Sequence, residues 1–370
     1  MTETLIGEKR QDLNFLYTPE ADIPGLKLAS VIILAYNSFR DLCECLPTIM
    51  RQTRRGYEVI VPDNSSSNDT CELIKNNYKD VRLIDNGANL GYPAGNNRGF
   101  QYARGKYIVI VNPDVVVDDA WLDELVKPLE KDPRIAITTS KILMYGADKI
   151  NTCANHIHFS GLGFCRGLKS EASSYDTPEV VGAMSGCSFA IRREAFEDLA
   201  GFDPDFFLYL EDTDLSLRAR LRGYRIQYVP TSIVYHKYRM SLTPAKEFYL
   251  ERNRHMLLLK NYGARTLLLM FPALLMTEAV TWGYAVLHGL PYVREKLRAY
   301  WWMLTHLGDV MEKRRRVQQG RKISDREFIG LLEWRIPFEQ LIDSRPLCRF
   351  ADLTLNNFYR LYFTLIKKLV

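Results

Sequence analysis

Short apolar runs alternate with amphipathic segments over the first third of the chain. Four such runs lie at residues 30–36, 57–61, 81–84 and 106–111. Runs of this length are typical of strands buried on both faces of a mostly parallel sheet. The segments between them carry apolar residues at helical spacing, as at Leu42, Leu46 and Ile49. This alternation predicts an α/β fold with helices flanking the sheet.

Polar residues follow three of these runs. Asp63 follows the second, a Gly/Asn-rich loop at residues 89–99 follows the third, and Asn112-Pro113-Asp114 follows the fourth. Ligands bind at the carboxyl ends of strands in open α/β sheets, where a carboxylate suits a hard divalent cation shared with phosphates. Taken alone, residues 112–114 are better interpreted as a simple turn, since all three residue types favour turns. The order of motifs described below reverses that preference.

The second half of the chain has a different pattern. It predicts strands at residues 135–142, 180–191 and 226–235, and short helices at residues 193–199 and 211–222. Residues 151–177 are rich in Gly and Ser and predict a long loop beside the site. Glu211 and Asp212 stand at the start of the second helix, where acidic residues also complement the helix dipole. The pattern alone leaves open whether these two carboxylates have a chemical role.

Beyond Pro244 the sequence is helical, aromatic and basic. Its most apolar stretch is interrupted by Pro272, Glu278 and His288, whereas a membrane-spanning helix needs about 20 predominantly apolar residues. The pattern favours helices that lie in a membrane interface, with a packed core and a solvated charged face as the alternative. We therefore divide the chain into an N-terminal extension (1–27), a catalytic domain (28–243) and a helical, membrane-associating region (244–370).

The amino-acid composition limits which classes of binding partner are expected. The 49 Lys and Arg residues exceed the 44 Asp and Glu residues only slightly, for a net charge of +5. No base-stacking module accompanies the basic block at residues 313–316, so no nucleic-acid partner is predicted. Seven cysteines lack metal-type spacing, and no apolar leader occupies the first 30 residues. These features predict a cytoplasmic protein, peripherally associated with the inner face of the cell membrane; the oligomeric state stays open.

Five motifs occur in an order that is similar to one enzyme family. They lie at residues 30–37, 63–65, 89–91, 112–114 and 211–215. Together they resemble the family 2 inverting glycosyltransferases, most of all bacterial dTDP-rhamnose-type rhamnosyltransferases that extend lipid-linked glycans. The resemblance covers roughly residues 28–241 and continues weakly in Glu251-Arg252-Asn253. It implies a GT-A fold, a Rossmann-like mixed sheet with flanking helices, followed by a C-terminal helical membrane-associated region.

The resemblance also assigns chemical roles. It makes Asp212 the catalytic base, with Glu211 orienting it or positioning the acceptor. Asp114 and His236 become ligands of Mg²⁺ or Mn²⁺, which would stabilise a leaving diphosphate. Asn112 stands at the first position of the usual Asp-x-Asp, so this chain has one carboxylate there instead of two.

Donor binding is assigned to the strand ends. The residues concerned are Ala35, Asn37, Asp63, Asn89, Gly91, Asn97, Arg98 and Asn112. Asp63 would accept the imide N–H of uracil or thymine, which favours a UDP or dTDP donor; the alternative is a turn or helix-capping role.

The resemblance implies transfer of rhamnose from dTDP-rhamnose to a lipid-linked saccharide in cell-surface polysaccharide biosynthesis. One alternative is a UDP-hexose donor for the same fold. The other is a non-catalytic nucleotide-sugar-binding scaffold, which Asn112 motivates.

Overall fold

The computed structural model describes residues 25–238, 243–342 and 344–370. Four parallel strands form one half of its main sheet: β1 (Lys27–Ile32), β2 (Tyr57–Asp63), β3 (Val81–Asp85) and β4 (Gly105–Val111). Three helices connect them: α1 (Phe39–Met50), α2 (Thr70–Asn77) and α3 (Gly91–Phe100). The predicted alternation of strands and helices in this part of the chain is therefore confirmed. The predicted extension, residues 1–27, lies almost wholly outside the described residues.

Later strands complete the sheet. They are β5 (Val115–Val117), β6 (Ile135–Met144), β7 (Ile150–Thr152), β10 (Glu179–Val181), β11 (Ser188–Arg192) and β12 (Arg225–His236). The strand order along the sheet is β10-β12-β6-β11-β4-β1-β2-β3. β11 runs antiparallel to both of its neighbours, which makes the sheet mixed, as the resemblance implied.

Helices cover both faces of this sheet. The second half contributes α4 (Trp121–Lys131), α5 (Arg193–Asp198) and α6 (Glu211–Leu221). Successive residues of a strand point to opposite faces, so Val109 packs in the cluster under α1 and α4, whereas Ile110 packs in the cluster with α3 and α5. The sheet is buried on both sides, and its polar strand ends are left to form a site.

Two loop predictions are wrong. Residues 91–100 form a helix despite their Gly and Asn content. Glycine is required there because a Cβ at Gly95 would lie 2.5 Å from Leu34, and one at Gly99 would lie 2.7 Å from Ile32. Residues 151–177 are not a plain loop either, since they contain the hairpin of β8 (Asn155–Ile157) and β9 (Gly163–Cys165).

The C-terminal region is helical, as predicted. Its helices are α7 (Pro244–Asn261), α8 (Ala264–His288), α9 (Leu290–Thr305), α10 (Leu307–Gln319), α11 (Asp325–Ile329), α12 (Arg345–Ala351) and α13 (Asn357–Leu369). α8 continues through Pro272. Among the described helices it alone is long and apolar enough to cross a membrane, and 22% of its most apolar stretch is buried.

The helical region packs tightly on the sheet domain. Lys260 of α7 lies 2.5 Å from Asp203 and 3.0 Å from Asp214, and all three side chains are almost completely buried. The basic block also contributes inward contacts: Lys313 pairs with Asp203 and Asp205. Half of the block is therefore used in packing, because Arg314 likewise donates to backbone carbonyls of α7 and its end.

Candidate functional site

Asp212 is held by four hydrogen bonds at the start of α6. Its Oδ2 accepts from the backbone N–H of Gly186 (2.8 Å) and from Asn155 Nδ2 (3.1 Å). Its Oδ1 accepts from the backbone N–H (2.6 Å) and the hydroxyl of Thr213. Gly186 has to be small, since a Cβ there would lie 3.2 Å from the Asp212 side chain. The carboxylate is fixed in one orientation, as a general base must be.

Glu211 differs from Asp212 in its environment. It is buried, and its Oε2 has no hydrogen-bond partner among the described residues. Burial and the neighbouring Asp212 carboxylate raise the pKa of Glu211 to about 8. Burial also raises the pKa of Asp212, while its hydrogen bonds to Gly186 and Thr213 act in the opposite direction. The two adjacent carboxyl groups therefore titrate as a coupled pair, with both pKa values raised.

A strained loop positions this pair. Phe207, Tyr209 and Leu210 all have positive φ, at 58°, 70° and 63°. The loop contacts the start of α3, where the backbone N–H of Tyr92 donates to the Phe207 carbonyl (2.8 Å). A Cβ at Gly91 would lie 2.5 Å from that same carbonyl oxygen. We call the loop at residues 207–210, which precedes the predicted base Asp212, the catalytic loop, and the Asn89-Leu90-Gly91 motif supports it.

Tyr92 lies between the acidic groups. Its hydroxyl donates to the Gly186 carbonyl (2.6 Å). Burial, followed by the negative charges of Glu211 and Asp212, raises the pKa of Tyr92 well above 10. Asp114 makes a smaller contribution to the same rise in the pKa of Tyr92.

Asn253 holds the strained loop from the other side. Its Nδ2 donates to the carbonyls of Phe206 (2.9 Å), Leu208 (2.8 Å) and Tyr209 (2.7 Å). Its Oδ1 accepts from the Arg252 guanidinium, which fixes the direction of the amide. Sequence reasoning noted this segment only as a resemblance, because contacts across more than forty residues leave no local pattern.

The predicted metal ligands are adjacent. β12 pairs with β5 so that His236 lies opposite Val115, and Asp114 Oδ2 is 3.3 Å from His236 Nε2. His236 Nδ1 lies 2.9 Å from Asn151 Oδ1. Because a carboxamide oxygen only accepts, Nδ1 carries a proton and Nε2 is directed at Asp114, as in metal-bound histidines that are oriented by a second hydrogen bond.

These two residues fit a divalent cation. Neighbouring ligands at about 2.1 Å from an octahedral ion lie about 3 Å apart, close to the 3.3 Å observed. Burial lowers the pKa of His236, but the adjacent Cys187 and Asp114 outweigh it and raise the pKa to about 10. Without an ion, a proton bridges the pair, and cation binding would displace it. Asn112 is next to them, and its backbone N–H donates to the Cys187 carbonyl (3.0 Å).

A second cluster contains residue types that bind metal ions, but cationic side chains already neutralise its negative charge. Glu251, His255 and Glu278 lie close enough to share an ion. Both carboxylates are already paired, however, with Arg254 and Lys296. Two buried cations balance two carboxylates, so we interpret this cluster as an ionic network that joins α7, α8 and α9.

Several predicted donor residues lie together at the ends of β1 and β2. Ala35 forms a bridge with Asp63. The Asp63 carboxylate accepts from the backbone N–H (2.8 Å) and hydroxyl (2.5 Å) of Ser66, while Asn37 Oδ1 accepts from the Ser67 N–H (2.8 Å). Asp63 thus has the turn-capping contacts of the alternative interpretation. An ionised carboxylate retains lone pairs for another donor.

The polar residues of the Gly/Asn-rich segment at residues 89–99 lie in different surroundings. Asn89 caps the start of α3 by accepting from the Gly91 N–H (3.0 Å). Asn97 is fully buried, and its amide bonds both the carbonyl and the N–H of Phe202, so it does not reach the site. Arg98, near the opposite end of α3, bonds Gln101 and covers the Tyr102 ring. The described contacts of these two side chains are with Phe202, Gln101 and Tyr102, and their role in donor binding stays a prediction.

Tyr36 is a candidate site residue that the sequence did not single out. It lies four residues after the end of β1, between Ala35 and Asn37, and is 51% exposed. An exposed aromatic ring at the edge of this site can stack on a nucleotide base. Its only sequence signal was an aromatic residue at the end of a buried strand.

Comparison with known proteins agrees with this geometry. Residues 30–200 match the model of glycosyl transferase family 2. An N-acetylglucosaminyl-diphospho-decaprenol L-rhamnosyltransferase of Mycobacterium tuberculosis is 26% identical over 229 residues, 56% of this chain and 75% of that protein. A poly-beta-1,6-N-acetyl-D-glucosamine synthase of Staphylococcus aureus is 24% identical over 219 residues, 58% of this chain and 51% of that protein. This chain thus spans about half of the synthase.

Solved structures share the fold. GalNAc-T7, crystallised with UDP, GalNAc and Mn²⁺, superposes with a TM-score of 0.53 at 23% identity, over 64% of this chain and 48% of that chain. S. aureus TarS 1-349 in complex with UDP has a TM-score of 0.51 at 16% identity, over 91% of this chain and 90% of that chain. These likenesses concern the fold alone. The chain therefore carries a glycosyl transferase family 2 domain on a GT-A fold and is a glycosyltransferase.

Proposed function

We propose that the chain is an inverting glycosyltransferase that moves rhamnose from dTDP-rhamnose to a lipid-linked saccharide. The observation that carries the proposal is the Asp212 carboxyl group, which four hydrogen bonds fix next to the buried Glu211, in a chain whose Asp114 and His236 also lie together. Inversion needs one base on the face opposite the leaving group, and the described site offers one such oriented carboxylate.

The reaction is a single displacement. The acceptor oxygen forms a bond to the anomeric carbon as the bond from that carbon to the diphosphate oxygen breaks. Asp212 takes the hydroxyl proton, and the electron pair of the broken bond leaves with the diphosphate. Burial raises the pKa of Asp212, which strengthens it as a base, and Glu211 stays protonated so that no second charge competes.

Asp114 and His236 would hold Mg²⁺ or Mn²⁺, with Asn112 beside them. When bound, such a cation neutralises the charge that develops on the leaving diphosphate. Because Asn112 replaces a carboxylate, this chain supplies less negative charge than two aspartates would. We therefore expect weak metal affinity without donor and tighter binding once the donor diphosphate adds its own oxygens.

The nucleotide would bind at the ends of β1 and β2. Asp63 accepts the imide N–H of the base, Tyr36 stacks on it, and the turn at Asn37 closes around it. Thymine and uracil share that imide, so Asp63 alone does not separate dTDP from UDP. A UDP-hexose donor is the second candidate, which the UDP-bound structures of GalNAc-T7 and TarS favour.

The acceptor proposal rests on the relative from M. tuberculosis, whose name specifies a lipid diphosphate bearing N-acetylglucosamine. A lipid-linked acceptor places the reaction at a membrane, in agreement with the sequence-based expectation of peripheral association with the cytoplasmic leaflet.

Donor turnover tests the proposal. Purified full-length chain would receive dTDP-rhamnose, UDP-glucose, UDP-galactose or UDP-N-acetylglucosamine with Mg²⁺ or Mn²⁺, with and without a short lipid-diphosphate N-acetylglucosamine acceptor. We expect acceptor-dependent release of dTDP. Asp212→Asn should lower the rate by about 100-fold or more, whereas the exposed Asp119→Asn should not change it.

Each outcome assigns a different function. Acceptor-dependent release of UDP from a UDP-sugar would show that the donor is a UDP-sugar and would leave the glycosyltransferase assignment unchanged. Donor binding without turnover, unaffected by Asp212→Asn, would favour the scaffold alternative. Loss of turnover in chelator, restored by Mn²⁺ in wild type but only weakly in His236→Ala, would support the metal assignment.

A further inference from the structure

Helix α9 leaves an apolar stripe uncovered. Leu290, Leu297, Trp301 and Leu304 are 81%, 53%, 69% and 70% exposed. Their spacing of seven, four and three places them along one side of a helix. The stripe begins at the end of α8, where Val286 and Leu287 are 62% and 86% exposed. An apolar surface of this extent needs a partner.

The opposite side of α9 is buried against α7. Ala299 is fully buried and Met303 almost so. Lys296 is fully buried as well and pairs with Glu251 of α7. The orientation of α9 is therefore fixed by a buried ion pair, and the outer stripe cannot turn inward without breaking it.

Two arginines lie within the stripe. Arg294 and Arg298 are exposed, and the four apolar residues flank them on the same side of the helix. Arg298 pairs with Glu295 and covers the Phe248 ring. An open groove of about 720 Å³ runs along Leu290, Leu297, Arg298 and Trp301. Leucine and tryptophan interleaved with arginine are typical of helices that lie at the boundary of headgroups and acyl chains.

We propose that this α9 face docks the enzyme in-plane on a bilayer that contains anionic lipids. The inference rests on the proposed function, since a lipid-linked acceptor must be reached at a membrane surface. Charge complementarity favours lipid over a second copy of this chain, because a symmetric contact would bring the exposed arginines of two copies together. The basic block at residues 313–316 is a weaker candidate for this contact, because Lys313 and Arg314 are directed inward.

The docked face lies close to the catalytic loop. Arg298 covers Phe248 at 5.0 Å, Phe248 contacts Tyr249 at 5.2 Å, and Tyr249 stacks on Phe207 at 5.2 Å. Phe207 begins the strained loop before Asp212. One cation–π contact and two aromatic contacts thus lead from the bilayer face to Phe207, the first residue of the strained loop.

Vesicle binding tests the face. Full-length chain would be floated with vesicles of phosphatidylcholine alone and of phosphatidylcholine with about one third phosphatidylglycerol. We expect binding to the anionic vesicles, weakened by salt. The double variant Leu297→Asp/Trp301→Asp should reduce binding by about tenfold or more, because both side chains would leave the apolar phase. Arg294→Gln/Arg298→Gln should remove the preference for anionic vesicles.

Matched variants make the test specific. Val180→Asp places the same charge at a 52% exposed site on the sheet domain and should bind vesicles like wild type. Leu361→Asp places the same charge at a 74% exposed site on α13 and should also bind vesicles like wild type. Vesicle binding that survives the α9 double variant, or that is lost only in Leu361→Asp, would overturn the proposal. So would a dimer that the α9 variant converts to monomer while vesicle binding is unchanged.

The membrane-docking proposal and the proposed function can be refuted independently of each other. A detergent-solubilised acceptor needs no bilayer, so the α9 double variant should retain wild-type turnover in detergent with an unchanged melting temperature. If no donor is turned over by wild type while α9-dependent vesicle binding persists, the function is wrong and the membrane face stands.

Discussion

Two neighbouring carboxyl groups with opposite surroundings define the chemistry at the residue scale. Asp212 accepts four hydrogen bonds, whereas one oxygen of Glu211 accepts none within the described structure. Hydrogen bonds favour the charged form and isolated burial favours the neutral one. The same sequence pair therefore combines a carboxyl group oriented by hydrogen bonds with one whose pKa burial and its neighbour raise to about 8.

This difference predicts a pH dependence of stability. Glu211 keeps its proton to about pH 8 in the folded chain and to about its ordinary value of 4.5 when unfolded. Its contribution is therefore full below the unfolded pKa and is lost as the pH rises through 8. Between about pH 5 and pH 9 the melting temperature of wild type should fall further than that of Glu211→Gln. The exposed Glu312→Gln should follow wild type, and a Glu211→Gln profile that does the same would contradict the assignment.

Glycine 91 allows a second prediction at this scale. Gly91 and Gly87 have nearly equal positive φ, +76° and +72°, but only Gly91 faces a neighbour, the Phe207 carbonyl at 2.5 Å from a built Cβ. Alanine at either position meets the same backbone strain of about 1–2 kcal/mol. Gly91→Ala should in addition displace the catalytic loop, and a shift of about 1 Å can cost about 100-fold in rate. Turnover in Gly87→Ala should stay near wild type; equal losses in both would show that strain alone matters.

Residue type and strand position suggested candidate chemical groups, but not the direction of each side chain. The resemblance singled out Asp212, Asp114 and His236, and the structure brings Asp114 next to His236, while their chemical roles stay predictions. Asn97 and Arg98 belong to the same Gly/Asn-rich segment, yet one is buried against Phe202 and the other lies near the far end of α3. A composition bias does not distinguish a polar group that binds ligand from one that satisfies backbone.

At the scale of elements, the parallel strands and their helices were predictable because burial on both faces produces continuous apolar runs. A helix between the third and fourth strands was predicted, but the residues of α3 were assigned to a loop at residues 89–99. Its glycines lower helix propensity, and tertiary packing requires them because Leu34 and Ile32 approach so closely. Local preference and packing conflict there, and packing prevails.

Helix α7 has a role that no local signal revealed. Its Asn253 binds three carbonyls of a loop in which three residues have strained φ values, each costing about 1–3 kcal/mol. Asn253→Leu keeps the volume and removes every donor. We expect the loop to relax, with kcat falling about tenfold or more and a smaller change in KM for the donor.

The kinetic split separates positioning from stability. A purely structural role of Asn253 would lower the melting temperature and leave kcat of the folded enzyme unchanged, which would contradict the prediction. Asn357→Leu is the matched control, because Asn357 is exposed at the start of α13 and its amide donates to the Leu353 carbonyl in the preceding turn. It should retain both kcat and the melting temperature.

At the scale of the whole molecule, the sheet domain and the helical region behave as one packed unit. The predicted boundary between residues 243 and 244 follows from a change in sequence character. Side chains of the two regions nevertheless pack against each other. Asp203 and Asp214 of the sheet domain are buried with Lys260 of α7. Burial opposes ionisation of Asp203, but Lys260 and Lys313 outweigh it and keep its pKa low. Sequence patterning could not show this, because each partner resembles an ordinary surface charge.

Removal of the Lys260 charge should therefore lower the stability of the whole chain, and the sheet domain and the helical region should still unfold together. Lys260→Met leaves two buried carboxylates with one cation fewer, and breaking a buried pair in this way costs about 3–5 kcal/mol. Urea unfolding followed by intrinsic fluorescence should show one transition at a much lower midpoint, with turnover lost over the same range. Lys131→Met, at an exposed position, should leave the midpoint unchanged. Two separate transitions, with turnover surviving the first, would instead show that the helical region unfolds alone and that Lys260 is no link between the halves.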